Sequence, residues 1–295
     1  MTDWTRFALA GATALALAAC GAAEDPVVLD LDDDVVVVES DEVVETLAET
    51  LSEDGYCVNM GPQTPRDIAS VMGTNADAFP MAMQADDLNL CNIHTHTNAE
   101  HRGPGFNIAT EGLGDYGGFQ CNGTPDLTEA ELADYPDMDY GKVKPGDTIE
   151  VHWVHSSCDV APGEGLGSCL TDGCDDPLLR VETQVFLVVN DRDAADLMDM
   201  VGTSNASGVY QASMIPDDTG DPVVFRGSTT GPSYDAQGVC SPLKVTWSVR
   251  PECKKLDIAS LDRWAEEGNV FNEDHSHGVR ALVTDARLLS PIGSN

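Results

Sequence analysis

The chain has 295 residues, with 51 Asp and Glu against 15 Lys and Arg, giving a formal net charge of -36 at pH 7. A surface this acidic repels phosphates, which argues against a nucleic-acid partner and favours a small neutral or cation-assisted substrate. Beyond an acidic N-terminal stretch roughly 240 residues remain without repeat or polar linker, enough for one domain with a sizeable core.

In chain order, Met1 to Cys20 has one basic residue, Arg6, and an apolar run from Phe7 to Ala19. That run is too short to span a bilayer and reads as a secretory signal. Its end, Leu17-Ala18-Ala19-Cys20, resembles the lipobox of bacterial lipoproteins, in which the cysteine is acylated and becomes the mature N-terminus. The alternative is an ordinary cleaved signal with an incidental cysteine. Both predict export, to the periplasm or cell surface, and the lipobox adds a membrane anchor at Cys20. Residues 21–52 lack Lys and Arg and are dense in carboxylates, which predicts a solvated tether. Within it Val35 to Val38 is predicted as a short strand and Glu42 to Leu51 as a helical turn or two. Residues 53–295 are predicted to form a single domain.

Setting Cys20 aside, Cys57, Cys91, Cys121, Cys158, Cys169, Cys174, Cys240 and Cys253 make an even set, which predicts four disulfides in an oxidising compartment. Cys169 with Cys174, across a short loop, is the natural local pair. No Cys-x-x-Cys occurs, which argues against a thiolate zinc site. A short helix is predicted near Arg66 to Met72.

The stretch Cys91 to Arg102 holds three of the seven histidines. On an extended strand His94 and His96 point to one face, a spacing that suits two ligands of one metal ion. Gly103 to Gly105 and Gly112 to Gly118 read as loops. Asp147 to Ser157 is rich in β-branched and aromatic residues and reads as a strand. Alternation places Glu150, His152 and Val154 on one face and Val151, Trp153 and His155 on the other. His152 is thus the expected third ligand, with Glu150 beside it to orient an imidazole; a single bulge would substitute His155. Thr183 to Asn190, Val209 to Ile215, Leu243 to Val249 and Val279 to Val283 are predicted strands. Ala194 to Val201 is predicted as a short helix, and Leu256, Ile258, Leu261 and Trp264 fit one face of another. Asn272 to Arg280 contains a second His-x-His, His275 and His277, readable as a ligand source, a proton relay or a structural loop.

These residues carry a resemblance to carbonic anhydrases of the alpha and delta classes. It rests on His94-Thr-His96 followed by Glu100 and His101, then Glu150-Val-His152-Trp-Val-His155. Gly227-Ser-Thr-Thr230 with Gly231-Pro-Ser-Tyr234, Cys240-Ser-Pro, Val245-Thr-Trp247 and Asp257 to Leu261 follow in the same order. The delta class gives the longer match, roughly Cys57 to Pro291. Thr95, Thr97 and Asn98 depart from the familiar residues beside the ligand pair.

The resemblance implies a mainly β domain with a few short helices around a twisted, largely antiparallel sheet, alpha-carbonic-anhydrase-like. It also implies Zn²⁺ held by His94, His96 and His152, and reversible hydration of CO₂ to bicarbonate and a proton by a hydroxide on the metal. Thr229 or Thr230 would accept that hydroxide's hydrogen bond and donate to Glu100, with His101, His275 and His277 as relay candidates. Two other readings are weighed: a metallo-hydrolase, disfavoured because Asn98 stands where its signature has aspartate, and a surface lipoprotein that binds metal or bicarbonate without turnover.

Overall fold

The computed structural model describes residues 27–31, 34–38, 61–70, 72–75, 79–110, 117–136, 140–174, 176–206, 208–229 and 243–293. Expectations on the signal, Cys20, residues 42–51, Cys57, Thr230 and Cys240 lie outside these residues.

The strands run β1 (Val27–Leu31), β2 (Asp34–Val38), β3 (Asn89–Thr97), β4 (Phe106–Ala109), β5 (Phe119–Cys121), β6 (Thr148–Ser156), β7 (Leu179–Val189), β8 (Thr203–Ala206), β9 (Val209–Ala212), β10 (Val223–Thr229), β11 (Leu243–Val249) and β12 (Lys254–Asp257). β1 pairs antiparallel with β2, so the predicted valine strand has a partner just upstream. The domain is built on a six-stranded sheet ordered β10-β11-β7-β6-β3, with β12 also against β7. The pairings β3 with β6, β6 with β7 and β10 with β11 are antiparallel, while β11 and β12 run parallel to β7. The protein is mainly β around a mixed sheet.

β6 is buried at every position because both faces of the sheet are covered. One face carries Val154, Val181, Val185, Phe225, Val245 and Trp247. The reverse face packs Ile93, Val151, Trp153 and Phe186 against the helix Ile258–Glu266 through Leu261 and Trp264. Asp257 caps that helix by accepting the Ala259 amide at 3.2 Å, which fixes where strand β12 ends and helix begins. Leu256, predicted as helical, therefore belongs to β12.

Several local expectations are corrected by long-range contacts. Cys169 bonds to Cys91 and Cys174 to Cys158, with Cα separations of 5.0 and 5.9 Å. The turn Leu166–Cys169 lies against β3, which sets Cys169 beside a strand cysteine instead of its sequence neighbour. The third described bridge is Cys121–Cys253. Residues 66–70 form no helix: Asp67 bridges Arg102, and the Arg66 guanidinium donates to the carbonyls of Ser70 and Ser290. Ala195 is held in a bridge to Leu256, which confines the helix to Met198–Val201. Val279 to Val283 is not a strand, since the chain makes its sheet contact earlier, at His277 opposite His96.

On the reverse face His155 is buried, its Nδ1 lying 3.1 Å from the Trp153 carbonyl, and burial pushes its pKa from 6.5 down to about 4. Between those values the unfolded chain holds the proton that the folded chain refuses, so stability falls as pH drops through that window. The cost approaches roughly 3 kcal/mol at its acid end, at about 1.36 kcal/mol per pKa unit. Chemical denaturation of metal-free protein from pH 7 to pH 4 is expected to show this loss, and His155→Gln to flatten it; equal slopes would remove His155 as the cause.

Candidate metal centre

The register of β3 on β6 sets His94 opposite His152 and His96 opposite Glu150, bringing three imidazoles to one face. The register shift in this pair falls between Leu90 and Asn92, upstream of both histidines, and β6 runs unbroken against β7. Alternation along β6 therefore survives, and His152 rather than His155 joins the pair from β3. The ring centroids lie 5.0 Å apart for His94 and His96, 5.0 Å for His94 and His152, and 4.8 Å for His96 and His152. One nitrogen from each ring falls within 4.8 Å of the others.

The remaining nitrogens are engaged elsewhere. His94 Nδ1 lies 2.6 Å from Asn92 Oδ1, His96 Nδ1 donates to the Gly278 carbonyl at 2.9 Å, and His152 Nε2 lies 2.7 Å from Glu150 Oε1. Asn92 is held in turn by donating to the Gly163 carbonyl at 3.1 Å. This leaves His94 Nε2, His96 Nε2 and His152 Nδ1 to converge; the first and last are 3.2 Å apart. Fixing the outer nitrogen sets both tautomer and ring orientation.

Burial, aided by the neighbouring imidazoles, holds the His94 pKa well below 6.5, and burial lowers that of His152 despite Glu150. Both rings are thus neutral, the form a metal requires. Burial alone would raise the Glu150 carboxyl, but His101 and His152 outweigh it and keep it ionised. Three imidazole nitrogen donors, each oriented by an acceptor, fit zinc in a site with fewer protein ligands than a closed structural one. A second grouping, His101, Glu150 and His152, fits less well because its hydrogen bonds already join those atoms to one another.

Glu100 arrives beside the centre because the chain turns at Asn98, whose φ of 66° suits asparagine. Its Oε1 lies 3.7 Å from His96 Nδ1. The Arg280 guanidinium forks onto it, Nε to Oε1 at 2.9 Å and Nη2 to Oε2 at 2.8 Å. Burial opposes ionisation here too, and Arg280 overcomes it, holding the Glu100 carboxyl far below the usual carboxylate range. Thr229 ends β10, buried, with three strands between it and β3 in sheet order.

The relay candidates separate. His101 is fully buried, with Nδ1 on Glu150 at 2.7 Å, Nε2 facing Thr64 Oγ1 at 3.3 Å, and Trp247 against its ring. This enclosure removes it from the candidates for passing protons to solvent. His275 and His277 meet edge to face with ring centroids 4.7 Å apart and line a cleft of about 320 Å³ with Thr97, Lys142 and Asp147.

Three buried imidazoles on adjacent strands of a mainly β sheet form a group that could hold a metal ion, and residues 85–260 match the Delta carbonic anhydrase family. The chain belongs to that family. Among solved structures, Photobacterium profundum alpha-carbonic anhydrase is similar at 18% identity, covering 76% of this chain and 85% of that chain, with a TM-score of 0.27. No curated protein matches the chain.

Sequence reasoning missed Asn92, although it lies two residues before His94 on the same face and alternation could have found it. It also missed Arg280 and Gly278, which come from 180 or more residues downstream and leave no local signal. Arg280→Met would strand the buried Glu100 carboxylate, with an expected loss of about 3–5 kcal/mol in denaturant unfolding. Adding Glu100→Gln should recover much of it, whereas unchanged stability in the single variant would show that the pair is not coupled.

Proposed function

We propose that this chain is a zinc-dependent carbonic anhydrase catalysing the reversible hydration of CO₂ to bicarbonate and a proton. The observation that carries this reading is the convergence of three buried imidazoles whose outer nitrogens are all engaged, in a chain of the delta family. His94 Nε2, His96 Nε2 and His152 Nδ1 would hold the ion. Zinc in such a site acidifies water towards neutrality and so furnishes the nucleophile for CO₂.

The chain's own residues do the rest. Asn92, Gly278 and Glu150 keep the three rings aimed, and burial keeps His94 and His152 deprotonated. Glu100, held ionised by Arg280, would accept a hydroxyl hydrogen bond from Thr229 or Thr230 and so direct that hydroxyl's oxygen towards the reacting atoms. His277 and then His275, half exposed at the cleft, offer the product proton a path to solvent. The domain at residues 53–295 would be exported and tied to a membrane by lipid on Cys20 through the acidic tether. The described disulfides fit an oxidising compartment, and no described helix is long and apolar enough to cross a membrane.

Stopped-flow CO₂ hydration on zinc-loaded protein is the test. Turnover well above buffer is expected; stoichiometric zinc without turnover would replace the enzyme with a metal- or bicarbonate-binding lipoprotein. His152→Ala is expected to lose zinc and activity together and His155→Ala to keep both, with the reverse pattern sinking the ligand set. Glu100→Gln should retain zinc and hydrate more slowly; unchanged kinetics would take Glu100 out of the mechanism. His275→Ala should slow turnover in dilute buffer and regain it with added imidazole, a rescue that a purely structural loop would not show.

A further inference from the structure

A fourth imidazole stands next to the triad. His277 pairs with His96 in a parallel bridge, donating to the Thr95 carbonyl at 2.8 Å and accepting from the Thr97 amide at 2.7 Å. Bridge partners project to the same side of a sheet, so the His277 ring shares the face of the three ligands. Its centroid is 6.1 Å from that of His94 and 6.0 Å from that of His96, against 4.8–5.0 Å within the triad. A three-imidazole zinc site has affinity for one more nitrogen, and a fourth histidine on the same face would close it.

What holds the ring aside is Glu273. Its Oε2 lies 3.1 Å from His277 Nε2, and its Oε1 accepts the Thr95 amide at 2.9 Å and faces the Tyr140 hydroxyl at 3.4 Å. The Tyr140 hydroxyl also lies 2.8 Å from Thr95 Oγ1. Asn269 fixes the Glu273 backbone from both sides, accepting its amide at 3.0 Å and donating to its carbonyl at 2.8 Å. Glu273 is 5% exposed, so neither water nor another side chain readily replaces this acceptor. The carboxylate thus fills a ladder position on the edge of β3 with one oxygen and tethers the spare imidazole with the other.

We propose that Glu273 is a positioning residue that keeps His277 from becoming a fourth metal ligand, so that the site stays open to water and substrate. The inference rests on the zinc site proposed above. Thr95, one of the departures from the familiar family residues, is part of the clamp, supplying its amide to the carboxylate and its hydroxyl to Tyr140.

The experiment counts imidazoles on the metal by X-ray absorption of the zinc-loaded protein, with the visible spectrum of the cobalt-loaded protein as a second readout. Three imidazoles are expected in the natural protein. Glu273→Ala should raise the count to four and cut CO₂ hydration at least about tenfold, as a closed site must. Adding His277→Ala should return the count to three, a rescue of the coordination that general loosening of the fold would not produce; because His277 also begins the proposed proton path, turnover is expected to recover only with added imidazole. Glu273→Asp, which withdraws the acceptor by one methylene and keeps its charge, reports the same effect where Glu273→Ala does not fold. Three imidazoles in both Glu273 variants would overturn the proposal, as would four in the natural protein. Three imidazoles in a natural protein that does not hydrate CO₂ would sink the anhydrase reading alone, and the variant counts would still decide the clamp.

Discussion

The Glu150 carboxylate, wholly buried, is the group on which the centre depends. One of its oxygens takes both the outer nitrogen of His152 and Nδ1 of His101, each at 2.7 Å, and the other accepts the His101 amide at 3.2 Å. A charge in such a place is tolerated only when its acceptor positions are filled. Satisfying them aims one ring at the triad and presses the other under Trp247, so the orientation of a ligand and the packing of the core are settled together.

The same arrangement recurs on the other flank of β3. Glu150 stands beside His96 on the β6 side, while Glu273 holds His277 on the opposite edge, and Glu100 with Arg280 lies close by. Three carboxylates therefore surround a patch of imidazoles. Each is pinned by donors from a different part of the chain. A chain with so strong a negative charge has many carboxylates to spare, yet these act through a few directed hydrogen bonds and not through the overall field.

Much of the site was legible in the sequence because it lies on two strands whose alternation is simple. His94, His96, Glu150 and His152 could be placed on one face from period two alone, since no bulge falls within Thr148–Ser156. Leu243–Val249 and most of Leu179–Val189 were equally readable from their β-branched and aromatic runs. What was not legible is what depends on distant chain. The pairing of Cys91 with Cys169, the loss of the strand expected at Val279 to Val283, and the arrival of Gly278, Arg280 and Glu273 all follow from tertiary contacts between segments far apart in sequence. His101 was readable as a histidine near the site, but its enclosure beneath Trp247 was not, because burial is decided by strands that the local sequence does not mention.

The contact between His277 and β3 also has a temporal side. The three imidazoles are complete once residue 152 has been made, but the Gly278 carbonyl that orients His96 belongs to a segment about 180 residues after it. Until that segment arrives, the ligand face has an unpaired strand edge beside it, and any ion captured then would sit in a looser cage. His96 thus gains its outer hydrogen-bond partner only after nearly the whole domain has been synthesised, and a centre loaded as proposed would reach its final geometry no earlier.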